Sequence, residues 1–275
     1  MMKLFLLFCF FINFINSSIL NLEHLYNGIW LSGASYCSKE NYENMNIAGP
    51  LKNEFEYINT LYDSKTDLQG YIGILSKKKT IYIVLRGSYS VLNWIDDFEI
   101  ELVPYITYPE CECYVHKGFY HSVLGIRNKT IDTIKILKKF YPNYYVVLTG
   151  HSYGASSAQL LSMEIEKEGI KTKVYNYGQP RVGDKKYSYF VNTILTEYWR
   201  VTHNKDIVPH IPPIKLNYLH SCRELFEDEN GNLIQCSEEN CEDSLCANKY
   251  NLYQTNKDDH MYYLQHELSC NKSIV

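Results

Sequence analysis

Three residues in this chain have types and positions that could cleave an acyl bond, and the first is the most sharply marked. The run Val146-Val147-Leu148-Thr149 is apolar and β-branched, and it ends in Gly150-His151-Ser152-Tyr153-Gly154. Beyond it Ala155, Ala158, Leu161 and Ile165 share one helical face. Strand, tight turn, helix is the setting in which G-x-S-x-G becomes a nucleophile elbow. The turn holds the serine in a strained conformation, and side chains at 150 or 154 would collide with neighbouring backbone. Such a turn presents an exposed hydroxyl above the sheet edge. The amide of Tyr153, at a helix N-terminus, points toward an oxyanion forming beside Ser152.

A serine nucleophile needs a base, and the base needs a carboxylate to orient it. Two later segments offer them in the order serine, aspartate, histidine. The apolar stretch Trp199 to Thr202 runs into His203-Asn204-Lys205-Asp206, which puts Asp206 at a strand's carboxyl end, where open α/β sheets place their sites. His260 follows a polar loop in Asp258-Asp259-His260. On residue type alone His203, His210, His220 and His266 rival His260, and Asp184 rivals Asp206. Read blandly, Asp206 is a turn former and His260 a surface histidine.

The ordered motifs Leu85-Arg86-Gly87-Ser88, Asn93-Trp94-Ile95-Asp96-Asp97-Phe98, Val115-His116-Lys117-Gly118-Phe119 and Thr149 to Ser152 extend this pattern. Tyr177 to Gly183, Asn204 to Pro209 and Asp259-His260 complete it. With these seven motifs in order, from about residue 25 to the end, the chain resembles the secreted fungal-type class 3 lipases. That family includes triacylglycerol lipases, phospholipases A1 and feruloyl esterases. The resemblance implies the triad Ser152, Asp206 and His260, leaving Asp184 structural. It implies an oxyanion hole from Ser88 and the Tyr153 amide, with Asp97 bonding the Ser88 hydroxyl. Where Tyr153 stands the family more often has leucine or methionine, which bears on the acyl pocket and not on the amide. Val91, Trp94, Ile95 and Phe98 follow i, i+3, i+4, i+7 spacing, a short amphipathic helix. By spacing alone that is an ordinary surface helix; by resemblance it is a lid that opens at a lipid surface.

The implied protein is an α/β-hydrolase with a mostly parallel sheet and helices on both faces. It would be a secreted ester hydrolase working through an acyl-enzyme, a triacylglycerol lipase before a phospholipase A1 or feruloyl-type esterase. Neither metal nor organic cofactor is needed, and the expected partner is a lipid or other ester at an interface. The intact triad argues against a non-catalytic lipid-binding relative.

Composition agrees. Met1-Met2-Lys3, the apolar run Leu4 to Ile15 and Asn16-Ser17-Ser18 read as a signal peptide, residues 1–18. That run is too short to span a bilayer, and no other stretch is long enough. Residues 19–275 suit one domain with a sizeable core, expected as a monomer. A net charge of −4 with no basic block excludes nucleic acid as an expected partner. Eight cysteines follow the signal, and an even set implies disulfides. By resemblance Cys37 pairs with Cys270, and one bridge lies within Cys236 to Cys246. A Cys111–Cys113 bridge would be strained. A zinc site in the late cysteine cluster has the wrong spacing. Asn128-Lys129-Thr130 and Asn271-Lys272-Ser273 are glycosylation triplets.

Strands are expected at 70–75, 80–85, 144–149, 172–177 and 198–202. A helix is expected over about 118–140, stopped by Pro142-Asn143. The stretch from Ile211 to Lys257 reads as loop with a substrate-lining role.

Overall fold

The computed structural model describes residues 20–88 and 100–275. The signal peptide and the lid positions Val91, Trp94, Ile95 and Phe98, together with Asp97, lie outside the described residues. In chain order the main elements begin with α1 (Leu22–Ala34), β1 (Phe55–Asp63), β2 (Leu68–Leu75) and β3 (Thr80–Leu85). A small hairpin, β4 (Leu102–Pro104) with β5 (Tyr114–His116), leads into α2 (Lys117–Phe140). Then come β6 (Tyr145–His151), α3 (Tyr153–Lys167), β7 (Lys173–Tyr177), α4 (Lys185–Ile194) and β8 (Glu197–His203). The chain closes with β9 (Glu224–Glu227), β10 (Leu233–Gln235), β11 (Tyr262–Tyr263), β12 (His266–Glu267) and the single turn α5 (Cys270–Ser273).

Eight strands form one sheet in the order β1-β2-β3-β6-β7-β8-β9-β10. From β3 to β9 neighbours run parallel, and antiparallel strands close both edges. Side-chain alternation along the buried strands builds two cores. On β3, Ile81, Ile83 and Leu85 pack with α2, α3 and α4, while Tyr82 and Val84 pack with α1 on the other face. On β8 the same alternation sends Tyr198 one way and Trp199 the other. Strands buried on both faces read as continuous apolar runs, which is why β2, β3, β6, β7 and β8 were visible in sequence. Helix α2 starts where the His116 ring accepts the Phe119 amide at 3.2 Å and stops before Pro142.

The stretch from 211 to 257 departs from the expected loop: β9 and β10 lie inside it and extend the main sheet. The strand was hidden because all four β9 residues are buried, and two of them are acids. Glu224 is neutralised by Arg200 at 2.9 Å and accepts the Thr202 hydroxyl and the Ala247 amide. β1 was equally hard to read, because it is half-buried along most of its length and carries a register shift between Tyr57 and Asn59.

All eight cysteines after residue 18 are paired. Cys37–Cys270 and Cys236–Cys246 match expectation, and Cys222–Cys241 adds a third bridge. Cys111 and Cys113 are also joined, the close pairing for which strain is expected. Glu112 between them turns left-handed, with φ 47°, and this sets the two Cα atoms 5.1 Å apart, within the usual range. Glu224, Cys236 and Cys246 cluster together, but both sulfurs are committed to the disulfide. No helix among the described residues is long and apolar enough to cross a membrane.

Candidate functional site

The parallel strands end along one edge of the sheet, and the candidate residues stand just beyond those ends. Ser88 follows β3, Ser152 follows β6, Gly178 follows β7 and Asp206 follows β8. Ser152 has φ 57° and ψ −126°, a conformation a non-glycine residue adopts only when its surroundings enforce it. Its amide donates to the Tyr177 carbonyl at 3.0 Å, and its own carbonyl starts α3 by accepting from Ala155. The turn is as crowded as its sequence demands. A Cβ on Gly154 would lie 2.2 Å from the Leu85 carbonyl oxygen.

Asp206 and His260 meet directly. His260 Nδ1 donates to Asp206 Oδ2 at 2.8 Å, while Asp206 Oδ1 accepts the Val208 amide, also at 2.8 Å. With Nδ1 carrying the proton, the lone pair of a neutral ring sits on Nε2. Of the rival histidines none bonds a carboxylate among the described residues. His203 meets the Asp259 carbonyl, His220 the Pro209 carbonyl and His266 the Ser273 hydroxyl. His210 is held neutral by burial and then by nearby Arg181. Asp184 caps α4 through the Tyr187 amide.

Ser152 is brought to this pair through its neighbours. The ring of His151 lies against that of His260, with centroids 4.3 Å apart. Gly178, next to the Tyr177 that holds Ser152, has φ 55°, and a Cβ there would stand 3.0–3.1 Å from His260, Tyr263 and Asp206. Contrary to the expected exposed hydroxyl, Ser152 is fully buried, and Asp206 and His260 are each 1 % exposed. Ser152 Oγ and His260 Nε2 are buried without a hydrogen-bond partner among the described residues. Each such orphaned polar atom, one a hydroxyl and one a lone-pair nitrogen, is costly unless chemistry uses it.

Ser88 is adjacent to the elbow: a Cβ on Gly87 would lie 3.1 Å from that of Ser152. Arg86 stiffens this turn, bonding the Gly87 carbonyl and both the carbonyl and carboxylate of Asp67. The Tyr153 ring packs edge-on against Phe119, with centroids 5.2 Å apart.

Two supporting residues were not seen in sequence. The Tyr263 hydroxyl donates to Asp206 Oδ2, and burial, then the Asp206 charge, raises its pKa far above the ordinary value, so it remains a donor. His151 is held neutral by burial and by the nearby His260. Its Nε2–H donates to the His260 carbonyl at 2.8 Å, so its Nδ1 accepts the Tyr36 hydroxyl at 2.6 Å.

A doubly covered parallel sheet with a strained serine between strand and helix, and an Asp–His pair beyond later strands, defines an α/β-hydrolase. The family model for lipase (class 3) matches residues 82–216. A lipase of Rhizomucor miehei is 36 % identical over 192 residues, 68 % of this chain and 52 % of its own length. A secreted mono- and diacylglycerol lipase of Fusarium solani is 31 % identical over 62 % of this chain and 51 % of its own. A solved structure of Rhizomucor miehei triacylglyceride lipase is 30 % identical with a TM-score of 0.83, covering 90 % of this chain and 96 % of that one. The chain belongs to the class 3 lipase family. It spans about half the length of the curated relatives it matches.

Proposed function

We propose that the protein is a secreted serine carboxylester hydrolase that cleaves triacylglycerols. The observation that carries this reading is the 2.8 Å bond from His260 Nδ1 to Asp206, which leaves Nε2 a buried base without a partner among the described residues, as the Ser152 hydroxyl is. In the proposed cycle His260 Nε2 takes the Ser152 proton as Oγ attacks the ester carbonyl. Asp206 holds the ring tautomer and stabilises the imidazolium. The Ser88 and Tyr153 amides receive the negative charge on the carbonyl oxygen as it turns tetrahedral. His260 then gives its proton to the departing alcohol, and water, deprotonated by the same nitrogen, releases the fatty acid from Ser152. The four disulfides support an oxidising destination outside the cytosol.

The deciding experiment sets purified protein against tri-, di- and monoacylglycerol, phospholipid and feruloyl esters side by side, with Ser152→Ala as control. Hydrolysis of triacylglycerol that disappears in the variant is expected. Preference for phospholipid or feruloyl ester would move the substrate assignment within the family. Activity surviving in the variant would overturn the mechanism.

A further inference from the structure

The segment from Asp259 to Leu264 carries the two side chains that grip Asp206 Oδ2, His260 Nδ1 and the Tyr263 hydroxyl. Its beginning is fastened by Asp259, whose carboxylate accepts from Asn204 Nδ2, the Lys205 amide and Asn256 Nδ2, each at 3.0 Å. The Asp259 carbonyl is met by His203 Nδ1, also at 3.0 Å. Its far end is a tight turn between β11 and β12, where Leu264 and Gln265 both take positive φ, 51° and 60°. Two bulky residues in that region need an outside hold. Glu227, the last residue of β9, supplies it: Oε2 accepts the Leu264 amide at 2.7 Å, and the Gln265 amide also bonds this carboxyl group. Glu227 is 2 % exposed, and a buried carboxylate is retained at such a place only when its hydrogen bonds are made. The β9–β10 turn adds a second support, since Gly231 stands against the Gln265 side chain.

We infer that Glu227 is a positioning residue: by clamping the Leu264–Gln265 turn it holds Tyr263 and His260 on Asp206. This rests on the proposed function, and it gives the β9–β10 hairpin a task in turnover. Releasing Leu264 frees the backbone next to Tyr263, so the imidazole loses a fixed partner and spends less time aligned with Ser152. Misplacement of a reacting group by about 1 Å costs about 100-fold in rate.

The test compares Glu227→Ala, Glu227→Asp and Glu227→Gln using a short, soluble p-nitrophenyl ester, with thermal unfolding measured on each. Glu227→Ala is expected to lower kcat by about 10- to 100-fold with KM within about twofold. Glu227→Gln, which keeps an acceptor oxygen at full reach, is expected to recover most of the lost kcat. Glu227→Asp, one methylene short, is expected to recover little. The rate at which an organophosphonate ester labels Ser152 should follow the same order and can be read on whatever fraction is folded. Unchanged kcat and labelling in folded Glu227→Ala overturns the inference. So does an equal loss in Ala and Gln that tracks only their unfolding temperatures. If Ser152→Ala itself retains full activity, it is the underlying mechanism that has failed.

Discussion

At Ser152 the side chain and backbone have separable consequences. Its Oγ is buried without a partner among the described residues, so it adds nothing to the fold's hydrogen bonding. Ser152→Ala is therefore expected to lower kcat by at least about 10⁴-fold while unfolding free energy changes by under about 1 kcal/mol. Ester turnover and urea denaturation on the same preparation check both halves. Gly178→Ala should do something different. A methyl group there meets three groups of the Asp206 site at about 3 Å and also sits at positive φ. Loss of both activity and stability is the expected pairing. Ser152, Asp206 and His260 were legible in sequence because each belongs to an ordered motif. Tyr263 and His151 were not singled out as supports, because a tyrosine hydroxyl reaching a carboxylate 57 positions away leaves no local spacing signal, and 26 tyrosines dilute any one of them.

Among elements, those whose local pattern agrees with their burial were read correctly: β2, β3, β6, β7, β8 and α2. Among those missed, β9 and β10 depend on distant partners. β9 became a buried strand only because Arg200 and Thr202 on β8 satisfy Glu224. The excursion from 211 to 257 is then pinned to the body by Arg181, whose guanidinium makes a two-pronged bond to Glu242, each prong 2.8 Å. Arg181 follows β7, and Glu242 also takes the His220 amide and Asn248 Nδ2. Removing only the cation strands a buried carboxylate. Arg181→Ala is expected to cost about 3–5 kcal/mol, and Arg181→Met with Glu242→Leu to recover much of it. Denaturation curves of the single and double variants decide this. Equal losses in both would mean packing, not charge, holds the excursion.

For the whole molecule, acid is the vulnerable direction. His24 is lowered to about 4, first by burial and then by the Lys173 ammonium. His151, His210, His220 and His266 are lowered too, burial leading in each. A histidine lowered in the folded state binds its proton more readily when unfolded, at about pH 6.5. Its contribution is thus whole above pH 6.5 and is lost as pH falls toward the folded value. For His24 alone the loss between pH 6.5 and 4 is about 3 kcal/mol. Glu242 adds to it. Burial by itself would raise its pKa, but the Arg181 fork with His220 and Arg200 outweighs that and holds it far below the carboxylate range. Its contribution is whole above the ordinary glutamate range and fades below it. Urea midpoints should therefore fall steadily from pH 7 to pH 4, and His24→Gln should flatten that slope. A midpoint independent of pH across this interval would contradict the burial assigned to these rings.

The Cys37–Cys270 bond spans 233 positions and ties the segment after α1 to α5. α1 packs on one face of the sheet over β3, β6 and β7, with Tyr71 and Tyr177 donating to its carbonyls. During synthesis this seam cannot close until residue 270 has cleared the ribosome. The face beneath α1 therefore receives its covalent lock only once residue 270 has been made. Vectorial folding can assemble the middle strands beforehand, but the bond to Cys270 forms only afterwards, and it depends on an oxidant being present at that moment.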